Sequence, residues 1–226
     1  MSKTKIAVPI AKKTVQEALK QAHKAIDLGA DILEIRIDAF ENDNDNEIIK
    51  LFKSINFPLI ATNRSFEEGG LSKKQYTDRI QLLEQVAPYA DYIDIELNSN
   101  EKDIKNIQEF SKNNDKTIII SYHDFQKTPP LTDLIKLVEK SKKYCNNEKD
   151  IVKLALMPKE NIDTINMMKL MAKYPNGIFI SMGELGKNTR VIASILESPF
   201  VFASIDEKTA PGQIDIKSMQ KIINNI

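Results

Sequence analysis

Residues 32–38 read Ile32-Leu33-Glu34-Ile35-Arg36-Ile37-Asp38, and their alternation decides how the chain is built. Successive side chains of an extended strand point to opposite faces, so Leu33, Ile35 and Ile37 share one face and Glu34, Arg36 and Asp38 the other. The apolar face suits a layer of helices. The charged face must then open into an enclosed polar space, because charges inside a doubly covered strand cost several kcal/mol unless paired or used.

Outward from this segment, short β-branched runs alternate with longer stretches of helical apolar spacing. The pattern predicts strands near Lys5–Ile10, Ile32–Asp38, Pro58–Thr62, Tyr92–Leu97, Thr117–Tyr122, Ile151–Ala155, Gly177–Ser181 and Phe200–Ala203, each followed by a helix. Eight such repeats without a composition break predict one (β/α)8 barrel, a TIM barrel, over residues 1–226. An open doubly wound sheet also alternates, but it usually carries a Gly-rich phosphate loop after its first strand, and Ile10-Ala11-Lys12-Lys13 contains no glycine. Thr14-Val15-Gln16-Glu17 and Ser72-Lys73-Lys74-Gln75 read as capping boxes at helix starts.

Composition narrows the partners. Thirty-two basic residues balance thirty-two acidic ones among 226, so no net field favours nucleic acid or an anionic membrane. The longest apolar runs fall short of a membrane span, and the first ten residues lack a signal-peptide core, which together predict a cytoplasmic chain. One cysteine, Cys145, can form no internal disulfide and reads as incidental.

The charged inner face recurs. In the fourth strand Ile93, Ile95 and Leu97 face the helices while Asp94 and Glu96 face inward, and Arg64 lies just beyond the third. An internal salt-bridge network is one reading of these residues; their accumulation at strand C-termini, where barrel enzymes keep their sites, favours a catalytic one. Lys153 is the sharpest anomaly, since it interrupts Ile151-Val152-Lys153-Leu154-Ala155-Leu156-Met157 in the middle of a strand. A lysine with the ordinary pKa near 10.4 is neutral in about one copy in 2,500 at pH 7, and desolvation or neighbouring cations can make it a usable amine nucleophile. The competing reading is a lysine neutralised by an inward carboxylate such as Glu34. His123 ends the fifth strand next to the strand of Lys153 and offers a general acid/base; His23 lies within the first amphipathic helix and reads as surface or core edge. No metal-ligand spacing is present, and Glu41–Glu47 reads as a solvated loop that matches a calcium loop in composition only.

In this order the motifs resemble those of the type I 3-dehydroquinate dehydratase family over nearly the whole chain. The resemblance rests on Glu34–Asp38, Arg64-Ser65-Phe66-Glu67-Glu68-Gly69-Gly70, Asp94-Ile95-Glu96-Leu97, Ser121-Tyr122-His123-Asp124-Phe125, Lys153–Pro158, Ser181-Met182-Gly183, Arg190 and Ala210-Pro211-Gly212-Gln213. It implies a barrel, commonly a homodimer, that converts 3-dehydroquinate to 3-dehydroshikimate and water in the shikimate pathway without a cofactor or metal. Lys153 matches the Schiff-base lysine and His123 the acid/base. Glu34, Arg36, Arg64, Arg190, Thr209 and Gln213 match substrate-site positions, with Arg190 gripping a carboxylate. Glu68, Asp94, Met182, Phe202 and Ala210 match supporting positions; either Glu68 or Asp94 could orient the histidine. Thr209 stands where many relatives have serine and Ile180 where they often have methionine. Ser204–Gln213 would form a lid. A class I Schiff-base aldolase acting on a sugar phosphate is the leading alternative, and a non-catalytic acid-binding barrel a weaker one.

Overall fold

The computed structural model describes residues 4–41, 43–206 and 212–225. Its strands are β1 (Lys5–Ile10), β2 (Ile32–Arg36), β3 (Leu59–Thr62), β4 (Tyr92–Glu96), β5 (Thr117–Asp124), β6 (Ile151–Leu156), β7 (Gly177–Ser181), β8 (Phe200–Ser204) and the short β9 (Ile214–Asp215). Between them lie α1 (Val15–Asp27), α2 (Asp45–Ser54), α3 (Tyr76–Val86), α4 (Glu101–Asn113), α5 (Leu131–Lys142), α6 (Asn161–Lys173), α7 (Lys187–Ile195) and α8 (Ile216–Asn224). All pairings are parallel, and the laddered order runs β7-β6-β5-β4-β3-β2-β1-β8-β9. Among the described residues no ladder joins β7 to β8. Side chains close that seam instead: Ile178 and Ile180 of β7 meet Phe200 and Phe202 of β8, and Ser198 Oγ donates to the Gly177 carbonyl at 3.1 Å.

The period of two separates two cores. Outward residues such as Val8, Leu33, Ile35, Ala61, Ile93, Ile95, Ile120, Leu154 and Ala203 pack under the helices, whose buried faces repeat at helical spacing, as with Ala18, Gln21, Ala22 and Ala25 of α1. Inward residues stack in storeys. The lowest is apolar, with Ala7, Ile32, Ile60, Ile119, Ile151, Ile178 and Phe200 from seven strands and Tyr92 packed against them. Above it the same strands turn polar with Glu34, Thr62, Asp94, Ser121 and Lys153, all buried. The chemistry therefore stands on an apolar plug that keeps water from entering below.

Local signals corrected two readings. Thr14 caps α1 by accepting the Glu17 N–H, but Ser72 caps nothing helical: α3 begins at Tyr76 after Gln75, and Ser72 Oγ accepts from Lys74 N–H in the loop. A reciprocal box forms instead between Asn44 and Glu47, so the Glu41–Glu47 run ends as the first turn of α2 rather than as loop throughout. The second strand also stops at Arg36, and Ile37–Ala39 forms a single 3₁₀ turn that tucks Asp38 beneath the rim. No helix among the described residues is long and apolar enough to cross a membrane.

Candidate active site

Strand register fixes the heart of the site. Ser121 of β5 lies beside Lys153 of β6, and His123 beside Ala155, two residues nearer the mouth. The histidine therefore stands one inward layer above the lysine on the neighbouring strand.

Lys153 is 4% exposed, and its ammonium is held by two carboxylates, Glu34 Oε1 at 3.2 Å and Asp94 Oδ2 at 2.9 Å, with the Phe202 ring centroid 4.7 Å away. Glu34 is in turn braced by Thr62 Oγ1, which donates at 3.0 Å. The contact with Glu34 is the one the competing reading of Lys153 named, and Asp94 joins it: the immediate partners of Nζ are acidic, and the structural and catalytic readings of Lys153 meet at one atom.

Asp94 carries most of the load. Besides Lys153 it accepts Arg64 Nη2 at 2.8 Å and Ser121 Oγ at 2.6 Å, while Arg64 Nη1 donates to the same serine at 2.7 Å. Burial opposes its ionisation, yet Arg64 and Lys153 hold its carboxyl far below the usual carboxylate range. The same carboxylates raise Arg64 against the opposing effect of burial, so it stays a fixed cation.

Glu68, not Asp94, is the acid that touches the histidine. Its Oε2 accepts the His123 main-chain N–H at 2.9 Å and lies 3.1 Å from Nδ1. Burial pushes the Glu68 carboxyl up to about 7, although Arg64 pulls the other way. Burial, with Arg64 and Lys153 nearby, pushes His123 well below its ordinary value, so the ring is neutral at pH 7. The short turn Phe66–Glu68 delivers this carboxylate: Ser65 caps it, and Gly69 leaves it at φ +84°, a conformation glycine adopts without strain. At Gly70 a Cβ would strike the Arg64 carbonyl, so the tight Arg64–Gly70 loop needs both glycines.

The loop is clamped from two sides. Glu96 accepts Ser65 N–H at 2.6 Å and the Arg79 guanidinium at 3.2 Å; Asp38 accepts the Arg64 and Leu71 N–H groups and grips Arg36 through Nε at 2.9 Å and Nη2 at 2.7 Å. Sequence reasoning placed Glu96 and Asp38 inward without giving them these loop-holding contacts; it quoted Ser121 within a motif without giving it a role, and it did not single out Thr62, Arg79 of α3 or Asn98.

One pocket gathers Glu34, Arg36, Arg64, Glu68, His123, Lys153, Arg190 and Gln213, walled by Pro9, Phe125, Ala155, Ile180, Met182 and Phe202. Asp94 lies beneath its floor. Arg190, on α7, is 4% exposed, and burial pulls it down to about 10, which leaves it protonated at neutral pH. Thr209 and Ala210 lie outside the described residues, as does the middle of the expected 204–213 lid; Gly212 and Gln213 are described, and β9 follows them. His23 is exposed on α1, and Cys145 lies just after α5, its thiol pushed by burial up to about 12.

A barrel whose strand C-termini converge on a buried amine and a neutral imidazole, with three arginines lining the same pocket, defines an enzyme pocket suited to a small anionic molecule. The chain belongs to the type I 3-dehydroquinase family, whose model matches residues 6–226, and is an enzyme of the hydro-lyase class. It is 44% identical over 223 residues to a 3-dehydroquinate dehydratase of Methanobrevibacter smithii, covering 99% of this chain and 96% of the relative. It superposes on a crystal structure of the 3-dehydroquinate dehydratase of Aquifex aeolicus with TM-score 0.84 at 30% identity, covering 98% of each chain. It also resembles a type I 3-dehydroquinate dehydratase of Clostridium difficile carrying covalently modified comenic acid, with TM-score 0.89 at 27% identity over 100% of this chain and 92% of that one. The sugar-phosphate aldolase alternative has no footing in these relationships.

Proposed function

We propose that this pocket dehydrates 3-dehydroquinate to 3-dehydroshikimate through an imine on Lys153, the central reaction being loss of water across C1 and C2. The observation that carries the reading is the buried Lys153 amine held between Glu34 and Asp94 one layer below a neutral His123.

In the resting protein Lys153 is an ammonium ion in a salt bridge. As the ketone approaches, His123 takes one proton and the freed amine adds to C3. The ring returns that proton to the carbinolamine oxygen and then carries a second one from the carbinolamine nitrogen to the same oxygen, which departs as water and leaves a cationic iminium. The positive charge ends where it began, beside Glu34 and Asp94, so carboxylates that oppose deprotonation of the amine also stabilise the intermediate. His123 then removes a C2 proton, the enamine expels the C1 hydroxyl, and the ring supplies the proton that makes it water. Addition of water to the remaining iminium releases product and regenerates the amine. Glu68, ionised, accepts from Nδ1–H and directs Nε2 to this work.

Arg190 would hold the substrate carboxylate, Gln213 and Arg36 its hydroxyl-bearing edge, and Met182, Phe202 and Ile180 the apolar side of the ring. A cytoplasmic homodimer serving the shikimate pathway completes the reading on the ground of family membership.

Borohydride reduction in the presence of 3-dehydroquinate tests it. Wild-type protein gains one adduct mass located by peptide mapping at Lys153, and Lys153→Ala gains none and does not turn over. A label on another lysine, or turnover by the alanine variant, defeats the assignment.

A further inference from the structure

Glu68 has two carboxylate oxygens, and only one of them meets His123. The other, Oε1, accepts the side-chain N–H of Asn98 at 3.0 Å. Asn98 follows β4 and is pinned on both flanks, since Leu97 N–H bonds the Ser121 carbonyl at 2.7 Å and Ser99 N–H bonds the Glu96 carbonyl at 3.0 Å. It reaches Glu68 from behind the pocket wall, where a second polar cavity lined by Glu68, Glu96, Arg79 and Asn98 lies on the side away from Lys153.

We infer that Asn98 is a positioning residue: by holding Oε1 it fixes Oε2 of Glu68 against Nδ1–H of His123 and keeps Nε2 as the nitrogen turned to the substrate. The inference rests on the acid/base reading of His123 given above and adds to it the group that sets the ring's tautomer.

The physical ground is a choice between two neutral rings. When Glu68 is ionised it can only accept, so Nδ1 must carry the hydrogen and Nε2 is a base. When Glu68 is protonated its O–H can donate to Nδ1, the ring hydrogen moves to Nε2, and that nitrogen can no longer take a proton. A donor on Oε1 favours the first state and also stops the carboxyl group from rotating toward the rear cavity. The other charges on the pair are settled: Arg64, with Nη1 3.9 Å from Oε2, favours the ionised carboxylate and Glu96 opposes it. On the imidazole, Arg64, Lys153 and Arg36 disfavour a cation and Asp94 favours one. With Glu68 lifted to about 7, both states are accessible near neutrality, so even one neutral hydrogen bond shifts the balance between them.

The test uses the full chain with Asn98→Ala and the isosteric Asn98→Asp, which replaces the donor by a second carboxylate. Nitrogen-15 spectra of the imidazoles report the tautomer without substrate; the chain has only His23 and His123, and a His23→Gln background assigns them. Wild type should show Nδ1–H at His123 above neutral pH. Asn98→Ala should show a mixed or Nε2–H ring, with the acid limb of kcat displaced upward by about half to one pH unit and kcat at pH 7 reduced about two- to fivefold while KM stays within about twofold. Asn98→Asp should displace the limb further. Folded variants that keep the wild-type tautomer and acid limb overturn the inference, and since two variants carry the same readouts, a failure of one to fold leaves it open to refutation by the other. If wild type itself does not dehydrate the substrate, the functional reading fails while the tautomer result still judges Asn98.

Discussion

The carboxylate under the pocket floor supplies the most demanding quantitative prediction. Asp94→Asn keeps the shape and leaves one oxygen for Arg64 and Ser121, but it turns an N–H₂ group or a neutral oxygen toward Lys153, whose ammonium loses its 2.9 Å partner and keeps only Glu34. Removing one member of a buried ion pair costs about 3–5 kcal/mol, because the remaining charge stays desolvated. At roughly 2.1 cal/mol/K per residue, 226 residues have an unfolding entropy of about 0.47 kcal/mol/K, so the midpoint should fall by about 6–11 °C. Calorimetry at pH 7 measures this directly. Lys153→Met removes the stranded charge and refills the space beside the Phe202 ring, so the double variant should be more stable than the sum of the two single losses by about 1.5 kcal/mol or more. A single variant within about 0.5 kcal/mol of wild type, or strict additivity, would show that the floor network is not an energetically coupled unit.

Two further outcomes follow from the pocket's charges. Glu68 is raised in the folded protein to about 7 from an ordinary value of 4.5, so it favours folding fully below pH 4.5 and that contribution is lost as pH rises through 7. Glu68→Gln cannot ionise, so relative to wild type it should gain about 3 kcal/mol between pH 4.5 and pH 8 in urea titrations, while its dehydration rate falls; a stability difference independent of pH contradicts the shift. Arg190→Lys replaces a bidentate fork by a point charge and should weaken 3-dehydroquinate binding by about 1.5–3 kcal/mol, seen as a raised KM with a lower kcat; values within about twofold on both would remove Arg190 as the carboxylate anchor.

Strand parity made the barrel and most of the pocket legible in the sequence. A charge inside an apolar run has one physical meaning in a doubly covered sheet, so Glu34, Asp94 and Lys153 pointed inward before any coordinates. What parity cannot give is the partner chosen among inward neighbours: Asp94 and Glu68 were equal claimants to His123, and the contact was decided by a 3₁₀ turn after β3 that lifts Glu68 above Asp94. Caps misled where a loop intervened, since Ser72 and Gln75 have box spacing but the chain is still rounding the Gly69-Gly70 corner. Asn98 carried no signal at all, because a single amide in a loop acquires meaning only from the carboxylate it meets. The two-residue β9 was missed for the same reason, its pairing with Ala203 and Ser204 being a matter of where the chain returns.

The unladdered seam between β7 and β8 makes this ring behave like a hoop with a slit. At this slit β7 is laddered to β6 alone, while β8 is laddered to β1 and, at its C-terminal end, to the two-residue β9, and α7 with Arg190 connects the two lips. Opening there breaks side-chain contacts but, among the described residues, no interstrand ladder between the lips, so it costs less than parting any laddered pair. Deuterium should therefore enter the amides of β7 and β8 before those of β3 to β5. An anion seated on Arg190 would lie across the slit and slow that entry, so that occupancy of the pocket would be read at a distance as the stiffness of the whole ring.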